Sequence, residues 1–125
     1  MEDDDRSPDL CCYEDGRVAM DAGDFETAVV CFRRSGEIHT HYKTLELLGE
    51  CLGSLNRWQE AIVPLAAASA LNHGVRAPSL LAEAFLQIGR YSDAVYAADL
   101  ALSRDMKNRK ALAIRAEAKS RSRET

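Results

Sequence analysis

The chain repeats itself. GDFETA at Gly23–Ala28 returns as NRWQEA at Asn56–Ala61 and as GRYSDA at Gly89–Ala94, with 33 residues from each copy to the next. Each copy opens on a turn-forming residue, places an aromatic two positions later and closes on alanine. A period of this length means that one supersecondary unit is written several times. Each unit is too thin to hide its own apolar faces and must stack on a neighbour.

The positions around the turn say what the unit is. Small residues lie seven before it (Gly16, Gly49, Ala82) and apolar ones four before it (Ala19, Leu52, Phe85). After it come Phe25, Trp58 and Tyr91, then Ala28, Ala61 and Ala94, then Phe32, Leu65 and Ala98, then Ser35, Ala68 and Ala101. Offsets of three, four and seven mark one face of a helix. The face occurs on both sides of the turn, so each unit is an αα-hairpin with a very short loop. The small residues let its helices approach closely. Asp24 is placed to cap the second helix, which Arg57 and Arg90 cannot do.

The pattern predicts an all-α chain of about seven antiparallel helices, near 9–22, 25–37, 42–55, 58–71, 77–88, 91–104 and 108–122. Pro78 suits a first helical turn, and Asn72-His73-Gly74 supplies a break before it. The units are expected at about 9–41, 42–74 and 75–107, with a capping helix at 108–122 and a tail at 123–125. In that last helix Ala111, Leu112 and Ala116 are expected to face inward. Deleting residues 107–125 is expected to expose the third unit. Bulky residues at Ala61 or Ala94 should overpack a hairpin, at about 1–3 kcal/mol.

Length and composition agree with one soluble domain of 125 residues, 46% hydrophobic and 29% charged. No apolar run is long enough for a membrane span. The acidic start, MEDDDRSPD, lacks the features of a secretory leader, so residues 1–8 read as a disordered acidic tail and the address as cytoplasmic. Cys11, Cys12, Cys31 and Cys51 form no Cys-x-x-Cys and read as reduced thiols.

These residues resemble the tetratricopeptide repeat family. Leu47–Leu71 carries the fullest version of its motif, Leu80–Leu102 nearly as full a one, and Glu14–Ser35 a third with Asp15 where leucine is usual. Lys110–Ser120 is similar to the first helix of a fourth unit. Thr40, His73 and Met106 stand where the family has a closing proline, and Ala98 where it has a bulky residue. The resemblance implies a right-handed α-α superhelix, a solenoid whose first helices line a concave groove. Its function would be a protein–protein interaction scaffold that holds a peptide or protein segment, with no catalysis, cofactor or metal.

Three rows of groove candidates follow: Tyr13, Leu47, Leu80 and Ile114; Arg17, Glu50, Glu83 and Glu117; and Lys43, Arg76 and Lys110. Together they suggest an apolar stripe between an acidic row and a basic row, suited to a peptide with basic groups facing Glu50 and Glu83. The resemblance also permits a check against members that clamp a chaperone's C-terminal carboxylate. Tyr13, Arg17, Leu47 and Ile114 depart from that clamp and only Lys110 matches it, which argues against chaperone-tail binding.

No catalytic motif is present. His39 and His41 lack a third metal ligand nearby and read as a solvated loop pair. Self-association through a solenoid end, giving a homo-oligomer, is the alternative function. Nucleic-acid contact through the basic C-terminal helix is a weaker one and is not expected at pI 5.4.

Overall fold

The structure, a computed structural model, describes the backbone of residues 8–124 and the side chains of residues 12–124. Seven helices follow in order: α1 (Pro8–Asp21), α2 (Phe25–Ile38), α3 (Tyr42–Ser54), α4 (Trp58–Leu71), α5 (Arg76–Gln87), α6 (Tyr91–Arg104) and α7 (Arg109–Glu124). No strand occurs among the described residues. Each helix packs on the next in the chain, α1 on α2 and α3 on α4 most closely, and α5 also touches α3 and α7. The result is an all-α superhelix of stacked hairpins.

The turns explain the repeated opening residue. Gly23, Asn56 and Gly89 all hold positive φ, at 78°, 59° and 79°. At each, the chain leaves the first helix through paired backbone bonds, as in Asp24 N–H to Ala19 O at 2.8 Å and Gly23 N–H to Met20 O at 3.0 Å. This closure needs a residue that tolerates the left-handed region, which glycine does freely and asparagine at small cost. Asp24 then accepts from Thr27 N–H at 3.2 Å and caps α2. Arg57 and Arg90 make no side-chain cap and instead pair with Glu60 and Asp93, three residues on.

Within the hairpins, size is traded across the seam. A β-carbon on Gly16 would stand 2.7 Å from the ring of Phe32, and one on Gly49 would strike Leu65. Ala82 and Ala98 occupy the equivalent positions of the third hairpin, both shut from solvent. Glycine faces a bulky residue twice; alanine stands with alanine the third time. Ala98 is therefore matched to its partner position, and Ala28, Ala61 and Ala94 are all fully buried alongside.

Three expectations about the ends change. The inward face of α7 is Ala111, Ile114 and Ala118, while Leu112 and Ala116 are exposed. Alanines on both sides of this helix made its apolar phase ambiguous. Residues 123–124 are helical rather than tail, because α7 runs to Glu124 and carries the Arg121–Glu117 ion pair one turn apart at 3.0 Å. Asn108 opens α7 by accepting from Ala111 N–H at 2.8 Å. Pro8, assigned to the acidic tail, opens α1; the rest of that tail lies outside the described residues. At the other surface of α1, Val18 is exposed although its equivalents Cys51 and Ala84 are buried. A preceding unit covers those two, and no described helix lies ahead of α1.

Candidate binding groove

The first helices α1, α3, α5 and α7 carry the groove candidates, and the structure sorts them into two kinds. Leu47, Leu80 and Ile114 are buried in the core. They join the hairpins together and do not form an open apolar stripe. Tyr13 is half-buried, its ring edge-on to Phe32 at 5.9 Å, and its hydroxyl accepts from Arg17 at 3.3 Å.

The charged rows pair with each other. Arg76 at the start of α5 reaches Glu50 of α3 at 2.5 Å and Glu46 at 3.3 Å. Lys110 of α7 pairs with Glu83 of α5. Glu117 is held by Arg121 on its own helix. Glu50 and Glu83 are thus already neutralised by the basic row of the next unit, and Glu117 by its own helix, which removes the expected face for basic groups of a partner. The Glu50 bond also holds the Arg76 guanidinium above its ordinary pKa, more than burial lowers it.

The regularity breaks at one junction. Arg17 occupies the place of Glu50 and Glu83 in the first unit, and Lys43 the place of Arg76 in the second. Between α1 and α3 the Glu–cation pair is therefore replaced by two cations. Lys43 turns to the buried Glu46 at 3.4 Å, a carboxylate that it shares with Arg76.

A cleft of about 480 Å³ opens at this junction, lined by Tyr13, Ser35, His39, His41, Tyr42, Lys43 and Thr44. Among the described residues its lining holds one lysine and two histidines and no carboxylate. His41 is fixed there by two contacts. Its Nδ1 accepts from Lys43 N–H at 3.2 Å, capping α3, and its ring stacks on Tyr42 at 4.8 Å. Among the described residues no group of three or more His, Cys, Asp or Glu is placed to hold a metal ion. No described helix is long and apolar enough to cross a membrane.

Tyr42 and Thr44 were not singled out by the periodic pattern, Ser35 entered it only as a core position, and His39 was read as part of a solvated loop pair. A signal for the site was nevertheless present. Arg17 and Lys43, and Glu50 and Arg76, stand 26 residues apart, Glu83 and Lys110 stand 27 apart, and only the first pair has like charges.

No family model matches the sequence, and no curated protein is significantly similar to it. Solved structures do match. The Arabidopsis OM64 TPR domain superposes with a TM-score of 0.82 at 16% identity, covering 90% of this chain and 95% of that one. The chain has the tetratricopeptide-repeat fold. The TPR2B domain of yeast Sti1, solved in a complex with pHsp70, matches at TM-score 0.81 and 18% identity over 90% of this chain and 97% of that one. The second TPR domain of human RPAP3, solved with the HSP70 peptide SGPTIEEVD, matches at TM-score 0.81 and 15% identity, over 89% and 98%. The cleft lies where the end of α2 meets the start of α3, with Lys43 in its lining.

Proposed function

We propose that this chain is a non-catalytic scaffold that holds a peptide or extended protein segment in its concave groove. An acidic group of that segment sits at the first junction, beside Lys43 and Arg17. The observation that carries this reading is the cleft at Tyr13, Tyr42 and Lys43, where the Glu–cation pairing of the other junctions gives way to two cations. Elsewhere along the groove the charges are matched and offer a partner little net field. The aromatic rings of Tyr13 and Tyr42 supply contact area at low entropic cost.

The Sti1 and RPAP3 domains share the fold and are seen with heat-shock protein ligands, which supports a peptide as the class of partner. The particular tail is a different matter. Lys110, the single residue here that matches the carboxylate clamp, is engaged by Glu83. The partner proposed is therefore an acidic segment other than a chaperone tail.

The alternatives have less behind them. End-to-end association rests on Val18 of α1 and Leu112 of α7, and single exposed apolar residues are ordinary. For nucleic acid, Lys110, Arg115 and Arg121 of the basic helix are already paired with Glu83, Asp99 and Glu117.

A peptide array tests the reading. Short acidic and basic peptides of randomised sequence are probed with the protein and with Lys43→Glu. Acidic peptides retained by the protein and lost by the variant support the proposal. Equal retention of acidic and basic peptides, or equal retention by both proteins, overturns it.

A further inference from the structure

The second junction repeats the first with a shift of 33 residues, and the two carry different side chains. Glu46 stands at the second where Tyr13 stands at the first. Likewise Asn72 answers to His39, Gly74 to His41 and Val75 to Tyr42. Four rings at the first junction thus replace a carboxylate, an amide, a bare backbone and a small aliphatic group. At the second junction Glu46 draws in Arg76 at 3.3 Å, and Glu50 holds it at 2.5 Å. Lys43 has the place of Arg76, but the positions behind it are Tyr13 and Arg17. The unit before it supplies no carboxylate.

The charges along both junctions leave one cation over. Arg17, Lys43 and Arg76 share Glu46 and Glu50, and Lys43 and Arg76 approach the same oxygen of Glu46. Among the described residues Arg17 makes no ion pair. Its bond is to the Tyr13 hydroxyl at 3.3 Å, and Asp21 and Glu50 act on it only at longer range. One acidic group balances this cluster, whereas a run of them would overfill it.

A single carboxylate does not fill the cleft. Its volume of about 480 Å³ lies within the range of about 300–1,000 Å³ usual for small-molecule sites. Rings make most of its wall. Tyr42 stacks on His41, Tyr13 is edge-on to Phe32, and both tyrosines are half-buried and line the opening. Rings pack best on other rings, and an aromatic side chain brings the largest apolar area of any residue.

We propose that the cleft takes an aromatic side chain set directly beside a single acidic residue of the bound segment. This rests on the acidic-segment reading and names the neighbour of the acid. The aromatic ring lies against Tyr42 and Tyr13. The acid meets Arg17 and Lys43, on the side where Arg17 reaches the Tyr13 hydroxyl. Because His41 Nδ1 accepts from Lys43 N–H, the ring proton sits on Nε2 and gives the lining a donor for the segment's backbone.

Fluorescence anisotropy with fluorescein-labelled peptides in a glycine–serine background tests the inference. One peptide carries tryptophan beside glutamate, a second alanine beside glutamate, and a third tryptophan beside glutamine. The first should bind tightest, and tryptophan should gain about tenfold or more over alanine. Tyr42→Leu keeps the bulk and removes the ring. It should abolish the tryptophan gain and leave the alanine–glutamate peptide bound as before. Arg17→Glu copies the place of Glu50 and should remove the preference for glutamate over glutamine. Circular dichroism confirms that both variants are folded. Equal affinity for the tryptophan and alanine peptides, both lost in Lys43→Glu, overturns this inference and leaves the acidic-segment reading standing. A tryptophan gain that survives Tyr42→Leu overturns it too. No binding of any peptide, or no preference for glutamate over glutamine, overturns both readings.

Discussion

Arg104 at the end of α6 donates to the backbone carbonyl of Asn72, in the unit before it, at 2.9 Å. The same guanidinium donates to Gly74 O at 3.0 Å and to Ser69 O at 3.0 Å. These carbonyls lie at the end of α4 and in the loop beyond it, where helical partners run out. His73 stands there in place of the proline of the repeat pattern. A side chain from the next unit thus finishes the loop that a proline would have stiffened. Arg104→Ala should cost about 1–3 kcal/mol by leaving these acceptors short of donors. Arg104→Lys should recover only part, since an ammonium lacks the planar fork that spans three acceptors. Thermal unfolding checks both, and an unchanged Tm for Arg104→Ala would show that the contact does not stabilise the fold.

The size trade across the hairpin seams gives a paired prediction. Ala98→Leu puts a bulky residue where Ala82 still carries a β-carbon. It should destabilise by about 1–3 kcal/mol. Adding Ala82→Gly reproduces the Gly49–Leu65 arrangement. The double variant should be more stable than Ala98→Leu alone, despite the roughly 1 kcal/mol that glycine costs inside a helix. Denaturant titration of the three proteins decides it; purely additive losses would contradict the match.

On the outer side, Glu60 accepts from Arg57 Nε at 2.5 Å and Nη2 at 2.8 Å, and from Arg33 Nη2 at 3.2 Å. The Arg57 bonds first, and the Arg33 bond second, hold its carboxyl at about 2, below the ordinary 4.5. The stabilisation is complete above pH 4.5 and is lost as pH falls through about 2. Its size is small because the group is exposed. A side-chain NMR titration should place the Glu60 midpoint near 2, and Arg57→Ala should raise it. An ordinary midpoint in the unmodified protein would mean that the network does not persist in solution.

The thiols should differ sharply. Burial, with the Glu50 charge second, pushes the Cys51 thiol up to about 11. Cys12 is only half-buried. The thiolate is the reacting form, so alkylation at neutral pH should modify Cys12 well before Cys51. The linkage runs toward alkali. Stability contributed by the neutral Cys51 is present below its ordinary 9.0 and fades as pH rises through about 11. Peptide mapping after timed alkylation reads the order directly. Cys51 reacting as fast as Cys12 would show that the α3–α4 hairpin opens readily.

Much of the fold was legible because it is periodic. Gly23, Asn56 and Gly89 marked the turns, and the aromatic and alanine positions behind them marked the helical faces. The site was less legible. Leu47, Leu80 and Ile114 have the spacing of groove residues and also of core residues, and one chain's spacing does not separate the two. Tyr42 escaped notice, and His39 was read only as a solvated loop residue, because they flank a loop, where helical periodicity carries no information. The apolar outer side of α4 was hidden for a related reason. Val63, Ala66 and Ala70 look like core in a sequence, and only burial shows that nothing covers them.

The sequence by itself determined the number of helices, their antiparallel pairing and the positions of the turns. Those follow from local rules: 3.6 residues per turn, and a left-handed backbone that glycine and asparagine accept. Only the tertiary structure decided which charges are left over. Whether Glu50 meets a ligand or Arg76 depends on where the next unit's helix begins in space. That placement is set by packing within and between units, through contacts such as Gly49 against Leu65 inside a hairpin and Arg104 on the Asn72 carbonyl between hairpins, which no linear spacing expresses.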